Sequence, residues 1–422
     1  MERLTRELGG PAIFVKHDNE TGAELSGNKV RKLEFLLADA LARGTDCVLT
    51  CGAVQSNHCR ATAVAARRLG MDSVLFLRGE DPGDRTGNLL LDELVGAELH
   101  FITPEQYANR AELMGEAARL RRSHGRRPYV IPEGGSNALG SFGYVLLMDE
   151  LLRQGGLAAP AAGSRADART DPRAGARTDT PANAPANAPA EALAKAPANA
   201  PADGLNDPRG DGPGNAFLPW DHIVCAAGSG GTLAGLHLGA KLLGLDVRIW
   251  GVNVCDTGPY FQGRVLSIAR EFAVERLGME ATPTTSLPPS NESAGGDPGT
   301  IGQLEESDRS VRSTGTGAVV SRGGGEDLAD VDLGMVVLRR EEIGILEGYK
   351  GPGYGKASPE LLAFTREVAR RDGLLLDPVY TGKAFHGMVK EIERGRFRAG
   401  ERILFLHTGG VFSLFGPAVG PG

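Results

Sequence analysis

The chain has 422 residues, a formal net charge of −7 and 23% charged residues. That mild acidity gives no reason to expect nucleic acid or an anionic membrane surface as a partner, and the length suffices for two domains with sizeable cores. Its five cysteines show no Cys-x-x-Cys pair and no Cys/His metal spacing, so they read as reduced thiols of a cytoplasmic protein, with no metal site.

The N-terminus, Met-Glu-Arg-Leu-Thr-Arg-Glu-Leu-Gly-Gly, has no apolar signal-peptide core, and no later run is long and apolar enough to span a bilayer. The first informative stretch is Ser26-Gly27-Asn28-Lys29-Val30-Arg31-Lys32-Leu33-Glu34. A Gly-containing turn runs into a helix there, with Lys29 and Lys32 on one face at the electropositive N-terminus. That setting favours anions and lowers the pKa of an amine. Such a lysine can form a Schiff base with an aldehyde, while the remaining positive charge holds a phosphate, a pair of features that describes pyridoxal phosphate. Alone, the stretch better suits a surface helix with a basic first turn.

Apolar runs at 47–50, 74–77, 99–102 and 129–131 follow, then others at 223–226, 247–250, 335–338, 374–376 and 403–406. Helical patterns at 57–69, 141–154, 232–243, 359–371 and 383–394 fall between many of them. Continuous apolar strands separated by helices predict an α/β protein with two twisted, mostly parallel sheets covered on both faces. The expected division is a small domain at 44–140 and a large one from 1–43 plus 141–422. Two segments stand apart. Residues 155–216 repeat Pro-Ala-Asn-Ala and residues 280–327 are rich in Ser, Gly, Thr and Pro, both without aromatics. The first is expected to be a disordered insertion and the second a flexible one, which a fold tolerates because loop-closure entropy grows only logarithmically.

Polar clusters follow four of the apolar runs, where open α/β sheets bind ligands. In Gly52-Ala53-Val54-Gln55-Ser56-Asn57-His58, Ser56 or Asn57 either caps a helix or faces a ligand carboxylate with His58. Gly228-Ser229-Gly230-Gly231-Thr232 reads as a phosphate cradle, the alternative being a tight strand–helix turn. It fails the Gly-x-Gly-x-x-Gly dinucleotide pattern because Leu233 holds the third glycine position. In Asp377-Pro378-Val379-Tyr380, Tyr380 either packs in the core or stacks on a planar ring. In His407-Thr408-Gly409-Gly410, Thr408 either caps a turn or bonds a ring nitrogen. The loop Tyr349-Lys350-Gly351-Pro352-Gly353-Tyr354-Gly355 suits a mobile binding loop as well as a plain connection.

Together these stretches resemble the D-cysteine desulfhydrases and aminocyclopropane-carboxylate deaminases, fold-type II pyridoxal-phosphate enzymes related to the tryptophan synthase β subunit. The likeness is strongest to the plant-type D-cysteine desulfhydrases. It rests on Leu25–Leu36, Gln55–Ala66, Asp81-Pro82-Gly83, Thr86–Leu90, Gly134–Asn137, Gly228–Thr232, Asp377–Tyr380 and His407–Gly410. The resemblance implies that Lys29 carries the cofactor and handles the α-proton. Lys32 and Gly228, Ser229, Gly230, Gly231 and Thr232 would hold its phosphate, and Asn57 would contact the ring hydroxyl. Ser56, Asn57 and His58 would meet the substrate, Tyr354 would face it, Tyr380 would stack on the ring, and Thr408 would bond the ring nitrogen. It also implies a homodimer. The deaminases usually carry Glu after the stacking Tyr and Leu after the late His, where this chain has Thr381 and Thr408. A neutral hydroxyl gives a weaker electron sink than a carboxylate, which favours expulsion of a β-thiolate over opening of a cyclopropane. The expected reaction is α,β-elimination of D-cysteine to pyruvate, hydrogen sulfide and ammonia. The alternatives are the cyclopropane substrate or another β-substituted amino acid such as cysteate.

Overall fold

The computed structural model describes residues 1–158, 218–279, 330–334 and 336–416. The segment 280–327 lies outside the described residues, as does 155–216 beyond Ala158. Residues 155–158 are the end of the helix Ala138–Ala158, which corrects the expected start of that insertion. In that last turn a Cβ on Gly155 would stand 2.5 Å from the Pro219 ring.

Eleven strands are described: β1 Ala12–His17, β2 Cys47–Ala53, β3 Asp72–Arg78, β4 Glu98–Ile102, β5 Pro128–Val130, β6 His222–Ala227, β7 Arg248–Asn253, β8 Val331–Asp332, β9 Val337–Leu338, β10 Gly344–Leu346 and β11 Arg402–His407. They form a parallel four-stranded sheet ordered β4-β3-β2-β5, a parallel five-stranded sheet ordered β1-β11-β6-β7-β10 and an antiparallel β8-β9 pair. Strands such as Cys47–Ala53, buried along nearly their whole length, are what a sheet covered by helices on both faces requires. Among the described residues no helix is long and apolar enough to cross a membrane.

Three readings of the sequence need correcting. Leu374-Leu375-Leu376 is extended but not a strand. Its side chains alternate inward and outward, yet the neighbouring β11 already gives one edge to β1 and the other to β6. The run 335–338 contributes only the two residues of β9, in the antiparallel pair. The edge strands β1 and β10 carry short apolar stretches that the run-based reading passed over.

Strand order fixes where ligands can bind. In the smaller sheet, successive strands run outward from β2 to β4, then the chain returns to place β5 on the other side of β2. The larger sheet reverses in the same way between β6 and β11. Crevices form at such reversals, beyond the strands' carboxyl ends. The loops leaving these four strands are 54–56, 131–137, 228–230 and 408–410, and they contain most of the polar clusters read above.

Candidate active site

The helix Lys29–Ala42 starts at Lys29 itself, so the lysine sits where unpaired backbone N–H groups converge. A buried network fixes that start. Arg31 donates Nε and Nη2 to the Asp18 carboxylate at 2.9–3.1 Å and Nη1 to Glu150 at 2.8 Å, and the Tyr144 hydroxyl donates to Asp18 at 2.6 Å. Asp18 is fully buried. It ties the entry of the lysine helix to the helix Ala138–Ala158.

Lys29 Nζ donates to the Gly134 carbonyl at 3.3 Å, and Lys32 Nζ donates to the same oxygen at 3.2 Å and to Ser136 Oγ at 3.2 Å. Burial is the main force lowering both pKa values. Lys29 is pushed down to about 8, with Glu133 and Cys59 pulling the other way. Lys32 falls well below the usual lysine range because Lys29 and Arg264 add repulsion. Below about pH 8 the Lys29 amine is mostly protonated, and above it mostly a free nucleophile. The apoprotein is therefore expected to capture pyridoxal phosphate faster as pH rises through 8, measured by stopped-flow absorbance. A flat profile there would contradict the lowered pKa.

Lys29, Ser56, Asn57, His58, Gly228, Ser229, Gly230, Thr232, Tyr354, Tyr380 and Thr408 all line one cavity of about 810 Å³, its open mouth included. Lys32 and Gly231 lie just behind the wall. A Cβ on Gly231 would come within 2.6 Å of Ser136 Oγ and 2.7 Å of Lys32 Nζ, so only glycine fits between the lysine and the turn. Ser56 both caps the helix Asn57–Arg68, accepting from Cys59 N, and lines the cavity. His58 Nε2 is 2.8 Å from Thr50 Oγ1, whose hydroxyl donates to Ile131 O. Burial and the two lysines keep this imidazole neutral.

The Tyr354 and Tyr380 hydroxyls are hydrogen-bonded to each other, with their rings edge to face. Burial raises both phenol pKa values. The Tyr380 ring lies so close to Gly228 that a Cβ there would stand 2.9 Å from it. The turn before Tyr380 is built on Asp377, whose buried carboxylate accepts the Val379, Tyr380 and Thr381 amides at 2.8–2.9 Å and the Thr381 hydroxyl at 2.7 Å. This corrects the reading of Thr381. Its side chain is fully buried and bonded to Asp377, so only Thr408 of the two threonines faces the cavity.

Sequence reasoning missed Arg78, Tyr107 and Glu133 on the cavity wall. Glu133 accepts from the Tyr107 hydroxyl at 2.6 Å and pairs with Arg110 at 2.8 Å. The Arg78 guanidinium lies 4.9 Å from the Tyr107 ring centre and 5.2 Å from that of Tyr354. The available signal was position, since Arg78 ends β3 and Glu133 begins the Gly-Gly turn after β5.

The residues present fit a phosphorylated aldehyde. A recessed amine stands beside a glycine turn at the start of the helix Gly231–Leu242, with Ser136, Ser229 and Asn28-bonded Thr232 adding donors. Among the described residues no His/Cys/Asp/Glu group is arranged to hold a metal.

Fold and site together define a fold-type II enzyme dependent on pyridoxal phosphate. A family model described as pyridoxal-phosphate dependent enzyme matches residues 1–163. A putative 1-aminocyclopropane-1-carboxylate deaminase of Thermotoga maritima is 33% identical over 98% of this chain and 93% of its own length. The bifunctional D-cysteine desulfhydrase/1-aminocyclopropane-1-carboxylate deaminase of Arabidopsis thaliana, a mitochondrial protein, is 32% identical over 96% of this chain and 74% of its own. A crystal structure of an ACC deaminase homologue superposes with a TM-score of 0.64 at 29% identity, covering 98% of this chain and 89% of that one. The chain belongs to the D-cysteine desulfhydrase and aminocyclopropane-carboxylate deaminase family of pyridoxal-phosphate enzymes.

Proposed function

We propose that the protein eliminates the thiol of D-cysteine to give pyruvate, hydrogen sulfide and ammonia. Lys29 would hold the cofactor covalently, Lys32 and the Gly228–Thr232 turn its phosphate, Asn57 its ring hydroxyl and Thr408 its ring nitrogen. Bound there, pyridoxal phosphate supplies an electron sink for negative charge developing at the substrate α-carbon. Ser56 would orient the substrate carboxylate while it holds its cap, with the neutral His58 beside it. The Lys29 amine, set free when the substrate amine takes its place on the cofactor aldehyde and with a pKa of about 8, would take the α-proton. The carbon–sulfur bond then breaks, sulfur leaves with both electrons, and the aminoacrylate left behind hydrolyses to pyruvate and ammonia.

Tyr354 and Tyr380 suit the role of hydrogen-bond donors to the leaving sulfur. Their raised pKa values keep them protonated, and one hydrogen bond between them uses only one of their two hydroxyl protons. The observation that carries the choice of reaction is Thr408. It puts a hydroxyl on the cavity wall, where Glu133 is the sole lining carboxylate among the described residues and is already engaged by Tyr107 and Arg110. A site without a free carboxylate supports expulsion of a good leaving group better than ring opening. The family names favour cyclopropane deamination as the second reading. The same proposal has the enzyme act in the cytoplasm as a homodimer, in keeping with five free thiols, four of them buried.

An amino-acid panel tests the assignment. D-Cysteine is expected to release sulfide and pyruvate in equal amounts, with the cyclopropane substrate at least roughly a hundredfold slower, a difference of about 2.7 kcal/mol in barrier. Rapid ketoacid release from the cyclopropane compound, without sulfide from D-cysteine, would reverse it.

A further inference from the structure

Lys383 is fully buried, yet it belongs to the first turn of the helix Thr381–Glu393. A cation there is opposed both by desolvation and by the positive end of the helix. Its ammonium donates to two backbone carbonyls, Lys350 O and Gly353 O, each at 2.7 Å. Both belong to the loop that leads into Tyr354. Beyond these bonds the loop is braced by a backbone turn, Lys356 N–H donating to Gly353 O at 3.3 Å. Lys350, Gly351 and Pro352 are exposed, and a Cβ built on Gly351 or Gly353 would meet nothing within 4 Å. Its flanks are firmly seated, Tyr349 bonded to Glu391 at 2.5 Å and Ala357 fully buried. Between those anchors, Lys383 grips the backbone, while Tyr380 and Arg78 contact the Tyr354 side chain.

We propose that Lys383 is a positioning residue for the reaction, its ammonium clamping the loop at Lys350 and Gly353 so that the Tyr354 hydroxyl is held at the cavity against Tyr380. The inference rests on the reading of Tyr354 as a substrate-facing hydrogen-bond donor. It also explains why a lysine occupies so unfavourable a place. Protonated, Lys383 has a full charge and three donors for two carbonyls. Burial pushes its pKa down to about 8, against the opposing pull of Cys255 and Asp377, which face it from the turns after β7 and after Leu376. The clamp is therefore strongest below that pH and weakens as the proton is lost.

The test uses holoenzyme and the variants Lys383→Met, Lys383→Arg and Tyr354→Phe. Methionine keeps the length and volume of the side chain and removes its donors. Trypsin cleavage after Lys350, referenced to cleavage after the exposed Arg122 of the same chain, reports loop release without reference to activity. Lys383→Met is expected to speed the Lys350 cut about tenfold, the factor expected for roughly 1.4 kcal/mol of lost charged hydrogen bonding. It should lower kcat by a similar factor while leaving cofactor absorbance intact. Lys383→Arg should restore both in part. In the wild-type enzyme the referenced cut should accelerate as pH rises through 8, which keeps the proposal testable even if a variant fails to fold. A referenced cleavage rate unchanged in Lys383→Met, or unchanged across that pH range, overturns the clamp. Fast cleavage in Lys383→Met alongside full turnover in Tyr354→Phe would leave the clamp standing and remove the proposed role of Tyr354.

Discussion

Replacing Lys29 by alanine is expected to cut turnover at least about a thousandfold, within the range by which positioned proton-transfer groups contribute, and to abolish the visible absorbance of covalently held cofactor. The variant should still fold. Lys29 makes one hydrogen bond, to Gly134 O, and that oxygen keeps Lys32 as a donor. Removing an amine whose pKa is depressed by burial also removes a folding cost, so the apoprotein should melt no lower than wild type. Other bases near the cavity are poorly placed to substitute. His58 is held by Thr50 and kept neutral, and both tyrosines have raised pKa values. Steady-state assay, absorbance and melting of the same preparation check all three expectations. Retained turnover with lost absorbance would move the proton-transfer role to another residue while keeping Lys29 as the cofactor's anchor.

Lys32→Met should have opposite effects on the two forms of the protein. In the apoprotein Lys32 is a buried amine repelled by Lys29 and Arg264. The unfolded chain holds the Lys32 proton more tightly than the folded one, so folding carries a cost that is greatest at low pH and fades as pH rises toward the ordinary lysine range. Methionine removes that cost. Its two lost acceptors keep other partners, since Gly134 O receives Lys29 and Ser136 Oγ bonds Ser229. A gain on the order of 1 kcal/mol in apoprotein stability follows, partly offset by the loss of those bonds. Phosphate binding should suffer the reverse. Losing a buried charge-assisted contact costs about 3 kcal/mol, roughly a hundredfold in the Kd for pyridoxal phosphate. Melting curves with and without cofactor should thus cross over, the variant higher when empty and lower when loaded. A variant less stable in both states would make Lys32 a structural residue.

How much of this could be read from the chain depended on the distance over which each feature is encoded. The runs at Cys47, Val74 and Ile223 became strands because continuous burial is written locally in apolar side chains. The placing of Lys29 and the Gly228–Thr232 turn at one cavity was legible for a similar reason, since a lysine or a glycine run beside a helix start is a short motif. Leu374–Leu376 misled because strand formation also needs a free neighbouring edge, which depends on β1 and β6. Thr381 misled because a hydroxyl after the tyrosine can turn either way, and Asp377 draws it inward. Arg78, Tyr107 and Glu133 meet only after β4, β3, β2 and β5 are assembled in one sheet, and no spacing within one stretch encodes that meeting. The segments 155–216 and 280–327 were set apart by composition alone, and beyond Ala158 both lie outside the described residues.

The pairing of β1 with β11 bears on how the protein matures during synthesis. The four-stranded sheet is complete once β5 has emerged, ending at Val130, and every strand it needs lies between Cys47 and that point. The five-stranded sheet cannot close until Arg402–His407 has been made, because β11 stands between β1 and β6. Until then Ala12–His17 waits with its ladder partner untranslated, and Lys29 and the glycine turn lack the Thr408 side of their cavity. Long-range parallel pairing of this kind is slow to form and leaves strand edges open in the meantime. The cofactor thus meets a complete pocket only in the last stage of chain assembly, and supplying pyridoxal phosphate after translation should load the protein as fully as supplying it throughout.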